Sequence, residues 1–144
     1  MHIKLTNGVP AKYTLGQLRR DNKNTSFPKQ MSDELLAEYD VYPYTVSDMP
    51  DYDRITQTCV EGNFEQDAQG NWSLQWAIEN LPQDEAEMRV RRERDRDLQQ
   101  CDWVVVKHSE SGTPVPTEWI NYRQALRDIT NQEGFPYNVT WPTI

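Results

Sequence analysis

The sequence predicts an α+β fold, because apolar residues recur with the period of a strand in one region and with helical spacing in another. Every second residue of the stretch 72–78 is apolar, which is typical of a strand with one buried face. Oppositely charged side chains recur four residues apart within 83–102, a spacing that supports a solvated helix. Large apolar residues recur at intervals of three and four within 117–131, which indicates a second helix with a narrow apolar seam.

Residues 1–50 are predicted to form a strand and two short helices. A strand at residues 3–5 ends in a turn at Asn7-Gly8. Thr14 and Gln17 have the spacing of a capping box and begin the first helix.

The second helix is predicted to begin at Ser32, with acidic residues in its first turn, where carboxylates interact favourably with the helix dipole. Tyr42-Pro43-Tyr44 is expected to end this helix, because proline disfavours helical conformation in the residue before it.

Residues 51–81 are predicted to form an antiparallel β-hairpin. Its arms are 55–64 and 72–78, joined by a polar loop that contains glycine at residues 67–71. The alternating apolar residues of the second arm are Trp72, Leu74, Trp76 and Ile78. The segment 51–80 is acidic, with Arg54 as its single basic residue against six carboxylates.

Residues 82–144 are predicted to form a helical-hairpin domain with an aromatic tail. Pro82 opens the charged helix, whose expected ion pairs are Glu85–Arg89, Glu87–Arg91 and Arg91–Asp95. Its apolar stripe is too thin to hold it alone: Ala86, Val90, Leu98 and Cys101. Pro116 begins a second helix with the seam Trp119, Tyr122, Leu126 and Ile129. We expect an antiparallel pair, about 83–102 against 117–131.

The composition excludes several classes of function. The 144 residues include 15 lysines and arginines against 23 aspartates and glutamates, a formal net charge of −8, and 36% are hydrophobic. Such a chain lacks the positive surface on which nucleic-acid affinity depends, and anionic membranes repel it. No apolar run approaches the ~18 residues of a membrane span, and no signal-peptide core follows Met1. We expect synthesis inside the cell and no contact with nucleic acid or membrane.

Residues that could carry chemistry are few and unfavourably spaced. Cys59 and Cys101 predict neither a disulfide framework nor the closely spaced ligand pairs of a zinc site, and His2 and His108 do not complete one. Phosphate-binding glycine loops and nucleophile elbows are absent. The acidic residues of 83–102 are interpreted as a solvated helix face. We therefore expect no enzymatic activity, metal or cofactor; an enzyme that uses those carboxylates is an alternative.

Aromatic residues are the remaining candidates for function. Tryptophan and tyrosine serve both in cores and as anchors at protein interfaces, and both interpretations apply here. The tail carries Phe135, Tyr137 and Trp141 within seven residues, and its prolines lower the entropy that docking would cost. The tail either binds a partner or folds back over the helical hairpin.

The C-terminal part of the chain carries several motifs in a fixed order. They are Glu93-Arg94-Asp95-Arg96-Asp97-Leu98, Cys101-Asp102-Trp103, Trp119-x-x-Tyr122-Arg123-Gln124-Ala125-Leu126-Arg127-Asp128-Ile129, Gly134-Phe135-Pro136 and Trp141-Pro142. Together, over about residues 83–142, they resemble the phage tail assembly chaperone domain and are similar to the tail-fibre assembly proteins of tailed phages. The sequence departs from these proteins at Val104–Ser109, where they usually have a connection containing Leu-Pro.

The resemblance implies a non-enzymatic phage tail protein that binds a tail or tail-fibre protein and assists its assembly or attachment. It implies action in the host cytoplasm during assembly, with the virion tail as a second location. The alternative is a permanent structural subunit of the virion tail, either fibre-associated or a connector, and homo-oligomerisation within a tail assembly is compatible with both. The candidate partner-binding residues are Trp119, Tyr122, Arg123, Phe135, Trp141 and Pro142.

Overall fold

The structure is a computed structural model that describes residues 1–144, and it confirms the α+β class. The strands are β1 His2–Thr6, β2 Val9–Tyr13, β3 Val41–Val46, β4 Gln57–Gln66 and β5 Trp72–Asn80; the helices are α1 Leu15–Asp21, α2 Asp33–Ala37, α3 Gln83–Gln100, α4 Asp102–Glu110 and α5 Thr117–Asp128. A 3₁₀ turn, Ile129–Asn131, follows α5. The chain divides into unit 1, Met1–Pro50 with Cys59–Ala77, and unit 2, Asp51–Thr58 with Ile78–Ile144.

The N-terminal helices begin where the sequence predicts them. Thr14 Oγ1 accepts a hydrogen bond from the Gln17 amide at 3.1 Å, and Gln17 Oε1 accepts one from the Thr14 amide at 2.8 Å, which completes the capping box. Ser32 Oγ caps α2 by accepting a hydrogen bond from the Leu35 amide at 3.3 Å. Both helices are short, and each is held through one buried leucine rather than by its own length.

The sheet contains two strands that the sequence analysis missed, β2 and β3. Its order is β2-β1-β3-β5-β4, with β1 antiparallel to β2 and β3, and β3 parallel to β5. The expectation that Tyr42-Pro43-Tyr44 merely ends a helix was wrong, because these residues lie within β3. Val41–Pro43 pair with β1 and Tyr44–Val46 pair with β5, so Pro43, which has no N–H, lies where β3 changes partner.

The sheet of unit 1 curls. Lys12 on one edge strand and Glu61 on the other form an ion pair. In a flat sheet four strand spacings would separate these edges by roughly 19 Å, more than two extended side chains span. The concave arrangement encloses a core of Ile3, Tyr44 and Leu74, and a second core joins α1, α2 and β3 through Leu18, Leu36 and Val41.

The central hairpin is confirmed. The loop between β4 and β5 is too short for a parallel connection, so the strands run antiparallel. Asp67 organises the loop: its carboxylate accepts hydrogen bonds from the amides of Gln69 and Asn71 at 2.9 and 2.8 Å and from the Asn71 side chain at 2.9 Å. These bonds hold the pKa of the Asp67 carboxyl below its ordinary value, and the bond from the Asn71 side chain makes the largest contribution.

In unit 2, α3 and α5 pack as the predicted antiparallel pair. Arg123 in the middle of α5 bonds to Leu98 near the end of α3, whereas Val90, earlier in α3, shares a buried cluster with Leu126 and Ile129 at the end of α5. The thin stripe of α3 is its inward face, since Ala86 and Val90 are fully buried. This cluster of Val90, Leu126 and Ile129 is called the unit 2 core below.

The region between these helices differs from the expected connection. Residues 102–110 form the helix α4, and Cys101 ends α3 and begins α4 in a single bend. The run of three β-branched valines does not favour a helix by propensity, but the burial of Val104 holds the helix in place. Of the predicted ion pairs, Glu85–Arg89 and Glu87–Arg91 form at 2.6 and 2.9 Å.

The predicted pair Arg91–Asp95 was wrong. Asp95 accepts hydrogen bonds from Arg94 instead, at 2.8 and 2.6 Å, because Arg94 reaches its neighbour's carboxylate directly. The Arg91 guanidinium lies over the Phe135 ring, 5.3 Å from its centroid, while it also pairs with Glu87.

Candidate partner-binding surface

A pair of tryptophans lies at the surface of unit 2. The rings of Trp103 in α4 and Trp119 in α5 meet edge to face with their centroids 6.1 Å apart, and Trp119 makes a similar contact with Tyr122 at 6.1 Å. Trp103 is 57% exposed. Most tryptophans in folded proteins are largely buried, so this exposure is unusual for the residue type.

A further apolar side chain extends this surface. Val106 lies one helical turn after Trp103 and is 53% exposed. Lys107 Nζ lies 5.9 Å from the centroid of the Trp103 ring and places a cation beside it. We call Trp103, Val106 and Trp119 the tryptophan surface. Its ring faces and methyl groups are suited to burial against another protein.

Tyr122 and Pro142 line a shallow depression on unit 2. Its volume is about 410 Å³, and Ile144 also lines it. Tyr122 packs against the unit 2 core as well, and burial, followed by the negative charge of Asp97, raises the pKa of its phenol. One edge of the tyrosine therefore contributes to the core while another remains reachable.

Arg123 forms an intramolecular bridge among helices. Nη1 donates to the Leu98 carbonyl at 3.0 Å and to Cys101 Sγ at 2.9 Å, and Nη2 donates to Asp102 Oδ1 at 2.7 Å. Its side chain is only 13% exposed. Burial alone would lower the pKa of the guanidinium, but the hydrogen bonds to Asp102 and Cys101 outweigh it and raise that pKa. Arg123 thus closes the bend between α3 and α4.

Phe135 and Trp141 belong to the tail, which folds back over the unit 2 core and packs against it together with Val139. Gln132 and Thr140 hold the returning chain through two hydrogen bonds of 2.7 and 3.0 Å. Tyr137 Oη donates to the Leu81 carbonyl at 2.7 Å. Of the two alternatives for the tail, folding back is what the structure contains, and the role of Phe135 and Trp141 in partner binding stays a prediction.

Gly134 is the residue that permits this return. A Cβ atom built there would lie 2.1 Å from the Asn138 carbonyl oxygen, a distance that no side chain tolerates. The Asn138 amide donates to the Gly134 carbonyl at 2.7 Å, so the two backbone segments touch.

Trp103 is the residue that the sequence analysis missed. Trp103 is part of the motif Cys101-Asp102-Trp103, but the sequence does not predict the helix α4 that brings it to the surface. The spacing of Trp103 and Val106, opposite the buried Val104, is the signal that would have indicated an exposed apolar face.

The residues considered for metal or redox chemistry are dispersed. Cys59 and Cys101 are free thiols; Cys101 is buried and its Sγ donates to the Leu98 carbonyl at 3.2 Å. No group of three or more histidine, cysteine, aspartate or glutamate side chains is arranged to hold a metal ion. None of the helices combines the length and the apolar character that crossing a membrane requires.

Comparison with known proteins gives a match for the part of the chain that carries these surfaces. No curated protein and no solved structure matches the chain significantly. Residues 87–144 match the family model described as phage tail assembly chaperone protein. The match covers most of α3, all of α4 and α5, and the tail. It confirms the resemblance found in the sequence: residues 87–144 are similar to the phage tail assembly chaperone family.

Proposed function

We propose that this chain is a non-enzymatic assembly protein that binds a phage tail or tail-fibre protein in the host cytoplasm and covers a surface that this partner exposes before assembly. The family match of residues 87–144 supports the association with phage tails. The observation that carries the binding role is the exposed Trp103 on that same part of the chain.

The partner contact is proposed to centre on the tryptophan surface. Tryptophan anchors stabilise an interface when a partner excludes water from both ring faces, and truncation of such an anchor costs at least about 2 kcal/mol of binding free energy. Trp119 contacts Trp103 edge to face, and this contact restricts the orientations of the Trp103 ring before binding. Little side-chain entropy is then lost on binding.

The six residues predicted from the sequence are proposed to act in two ways. Trp119 contacts the partner directly, and Tyr122 and Pro142 extend the contact into the neighbouring depression. Arg123, Phe135 and Trp141 are proposed to contribute by holding the helices and the tail that carry this surface.

The proposal is tested during infection by a phage that encodes either Trp103→Ala or the matched control Met49→Ala in this chain. Met49 is a similarly exposed apolar residue of unit 1, 56% exposed. We expect Trp103→Ala to lower the yield of complete tails while the control does not. Equal yields for both variants would contradict the binding role.

Quantitative mass spectrometry of purified particles and of the lysate separates the two modes of action. We expect the chain in the lysate and not in particles, the behaviour of an assembly factor. Stoichiometric copies that match tail or fibre symmetry would instead identify a permanent virion subunit. Absence from assembling lysates would contradict the function altogether.

A further inference from the structure

A cleft of about 300 Å³ on unit 2 is lined mainly by arginines. Its lining residues are Arg54, Ile55, Arg89, Arg92 and Glu93. Three positive charges against one negative give this lining a net charge of +2, within a chain whose net charge is −8. Arg54 is the single basic residue of the acidic segment 51–80, so its presence here is not a consequence of local composition.

Two of the three guanidinium groups have no partner in the protein. Neither Arg54 nor Arg92 uses its side chain in a hydrogen bond or an ion pair, and both residues are exposed. The carboxylate of Glu93, by contrast, is engaged by Arg96. Every other arginine of α3 has an acidic partner, which leaves Arg92 as the exception on that helix.

The cleft is held in shape by bonds within unit 2. Arg89 Nη1 donates to the Arg54 carbonyl at 3.0 Å, while Nη2 pairs with Glu85 at 2.6 Å. Asp53 fixes the turn that presents Arg54: its carboxylate accepts from the Ile55 amide at 2.9 Å and from Thr56 Oγ1 at 2.6 Å. These bonds hold the Asp53 carboxylate within its own turn.

Ile55 supplies an apolar wall between the arginines. It packs against the unit 2 core and is only partly buried, so one side of it lines the cleft. A wall of this kind suits the methylene groups of a glutamate side chain, while the guanidinium groups bind its carboxylate in a two-point geometry.

We propose that this cleft binds a carboxylate-bearing segment of a protein partner, with Arg54 and Arg92 as the residues that hold the carboxylates. A short acidic segment brings few negative charges, and the net charge of +2 at the cleft lining can balance them. A nucleic acid would bring many phosphates against a surface that is acidic elsewhere, and long-range repulsion opposes it. That the segment belongs to a tail protein rests on the proposed function, but the affinity for carboxylates does not.

The test is a titration of the full-length chain with a blocked peptide, acetyl-Glu-Leu-Glu-Glu-amide, followed by backbone amide NMR. The matched peptide has glutamine at each glutamate position, and inorganic phosphate serves as the small-anion probe. We expect the acidic peptide to shift the amides of 54–55 and 89–93 saturably, and the glutamine peptide to shift none of them. Higher salt should weaken the binding, because the groups are exposed.

Three variants assign the binding to the cleft. Arg54→Gln and Arg92→Gln should each weaken binding about fivefold, as expected for an exposed ion pair near the upper end of its range. Arg127→Gln removes the same charge from α5 outside the cleft and should leave the affinity unchanged. Equal weakening by all three variants would overturn the proposal, because it would show an effect of net charge only.

Two further results would also overturn it. One is the absence of saturable shifts with the acidic peptide. The other is equal affinity for phosphate and peptide, which would identify a non-selective anion site. Neither result affects tail yield in the Trp103→Ala experiment, so failure here is distinguishable from failure of the proposed function.

Discussion

Unit 1 and unit 2 use aromatic side chains in different ways. In unit 1 these side chains complete the cores: Tyr44 meets Phe64 edge to face at 4.9 Å, and Trp76 Nε1 donates to the Ser47 carbonyl at 2.9 Å. Unit 2 has a core of aliphatic residues that Phe135 and Trp141 partly cover, but it leaves Trp103 at the surface. A unit whose core does not require a given aromatic residue can present it to a partner.

The two units also differ in how they use charge. Lys12 and Glu61 of unit 1 neutralise each other across the curled sheet. Unit 2 pairs most of the arginines of α3 along the helix and leaves Arg54 and Arg92 unpaired beside one cleft. Free aromatic and free basic groups thus occur together in the unit that contains the family match.

The largest expected effect on stability comes from a substitution in the unit 2 core, which tests whether this core stabilises unit 2. Leu126→Ala should lower the free energy of unfolding by about 2–5 kcal/mol, because it leaves a cavity between α3 and α5. Chemical denaturation followed by tryptophan fluorescence measures it. Leu36→Ala is the matched change in unit 1, and amide hydrogen exchange should show each change loosening its own unit first. If either change increased amide exchange equally in both units, the division of the chain into two units would be contradicted.

The next prediction contrasts two tryptophans of unit 2. Trp141→Ala should cost about 2–3 kcal/mol of stability, somewhat below the range for a fully buried ring, since Trp141 only partly covers the core. Trp103→Ala should change stability by less than about 0.5 kcal/mol, because its ring is exposed. Thermal unfolding of both variants measures the difference. Similar losses would show that Trp103 is a structural residue and would remove it from the proposed binding surface.

A substitution of Arg123 tests whether this residue of the motif Trp119–Ile129 stabilises the fold. Arg123→Met should lower the free energy of unfolding by about 1.5–3 kcal/mol, since the Asp102 carboxylate and the Leu98 carbonyl lose a charged donor. Arg127→Met, at an exposed position on the same helix, is the control and should be nearly neutral. Urea denaturation measures the free energy of unfolding of both variants. If Arg123→Met leaves it unchanged, partner contact would be the better explanation for arginine at this position.

In unit 1 the expected effects are smaller and local. Thr14→Ala removes the side-chain acceptor of the α1 capping box and should cost about 1 kcal/mol. Thr14→Ser retains the acceptor and should restore most of the stability. Thermal unfolding measures both, and equal midpoints for the two variants would show that the cap does not stabilise α1.

The smallest effect is a pH dependence at the β4–β5 loop. The pKa of Asp67 is lowered in the folded chain, so its contribution to stability is present above the ordinary carboxyl pKa and is lost as the pH falls through the lowered value. The amide resonances of Gln69 and Asn71 should report this titration by NMR. Asp67→Ala should abolish it, whereas Asp48→Ala in the same unit should not. A titration that survives Asp67→Ala would assign it to another group.

Local signals were read correctly where neighbouring residues alone determine the structure. The Thr14–Gln17 box, the Ser32 cap and the strand at 72–78 each depend on contacts within a few residues, and each is confirmed. The predicted buried face of that strand is confirmed only in part, because Leu74 is buried but Ile78 is exposed. The missed elements are those that depend on distant partners. The strand β3 contains a proline and exists because β1 and β5 pair with it, and α4 exists despite its valines because Val104 is buried.

The candidate partner-binding residues show the same difference between what neighbouring residues determine and what distant residues determine. The residues Trp119, Tyr122, Phe135 and Trp141 were found by type and spacing, but type and spacing do not distinguish a core face from a surface. That distinction depends on what packs opposite each ring.

The sequence by itself determined the α+β class, the starts of α1, α2, α3 and α5, the hairpin and the similarity to phage tail assembly chaperones, because short-range spacing and motif order encode each of them. Only the tertiary structure decided that the tail covers the unit 2 core, that Trp103 remains exposed, and that Arg54 meets Arg89 and Arg92 at one cleft. The physical reason is that burial and charge pairing are properties of residues brought together from distant positions. Arg54 and Arg92 are 38 residues apart in the chain, and no local pattern relates them.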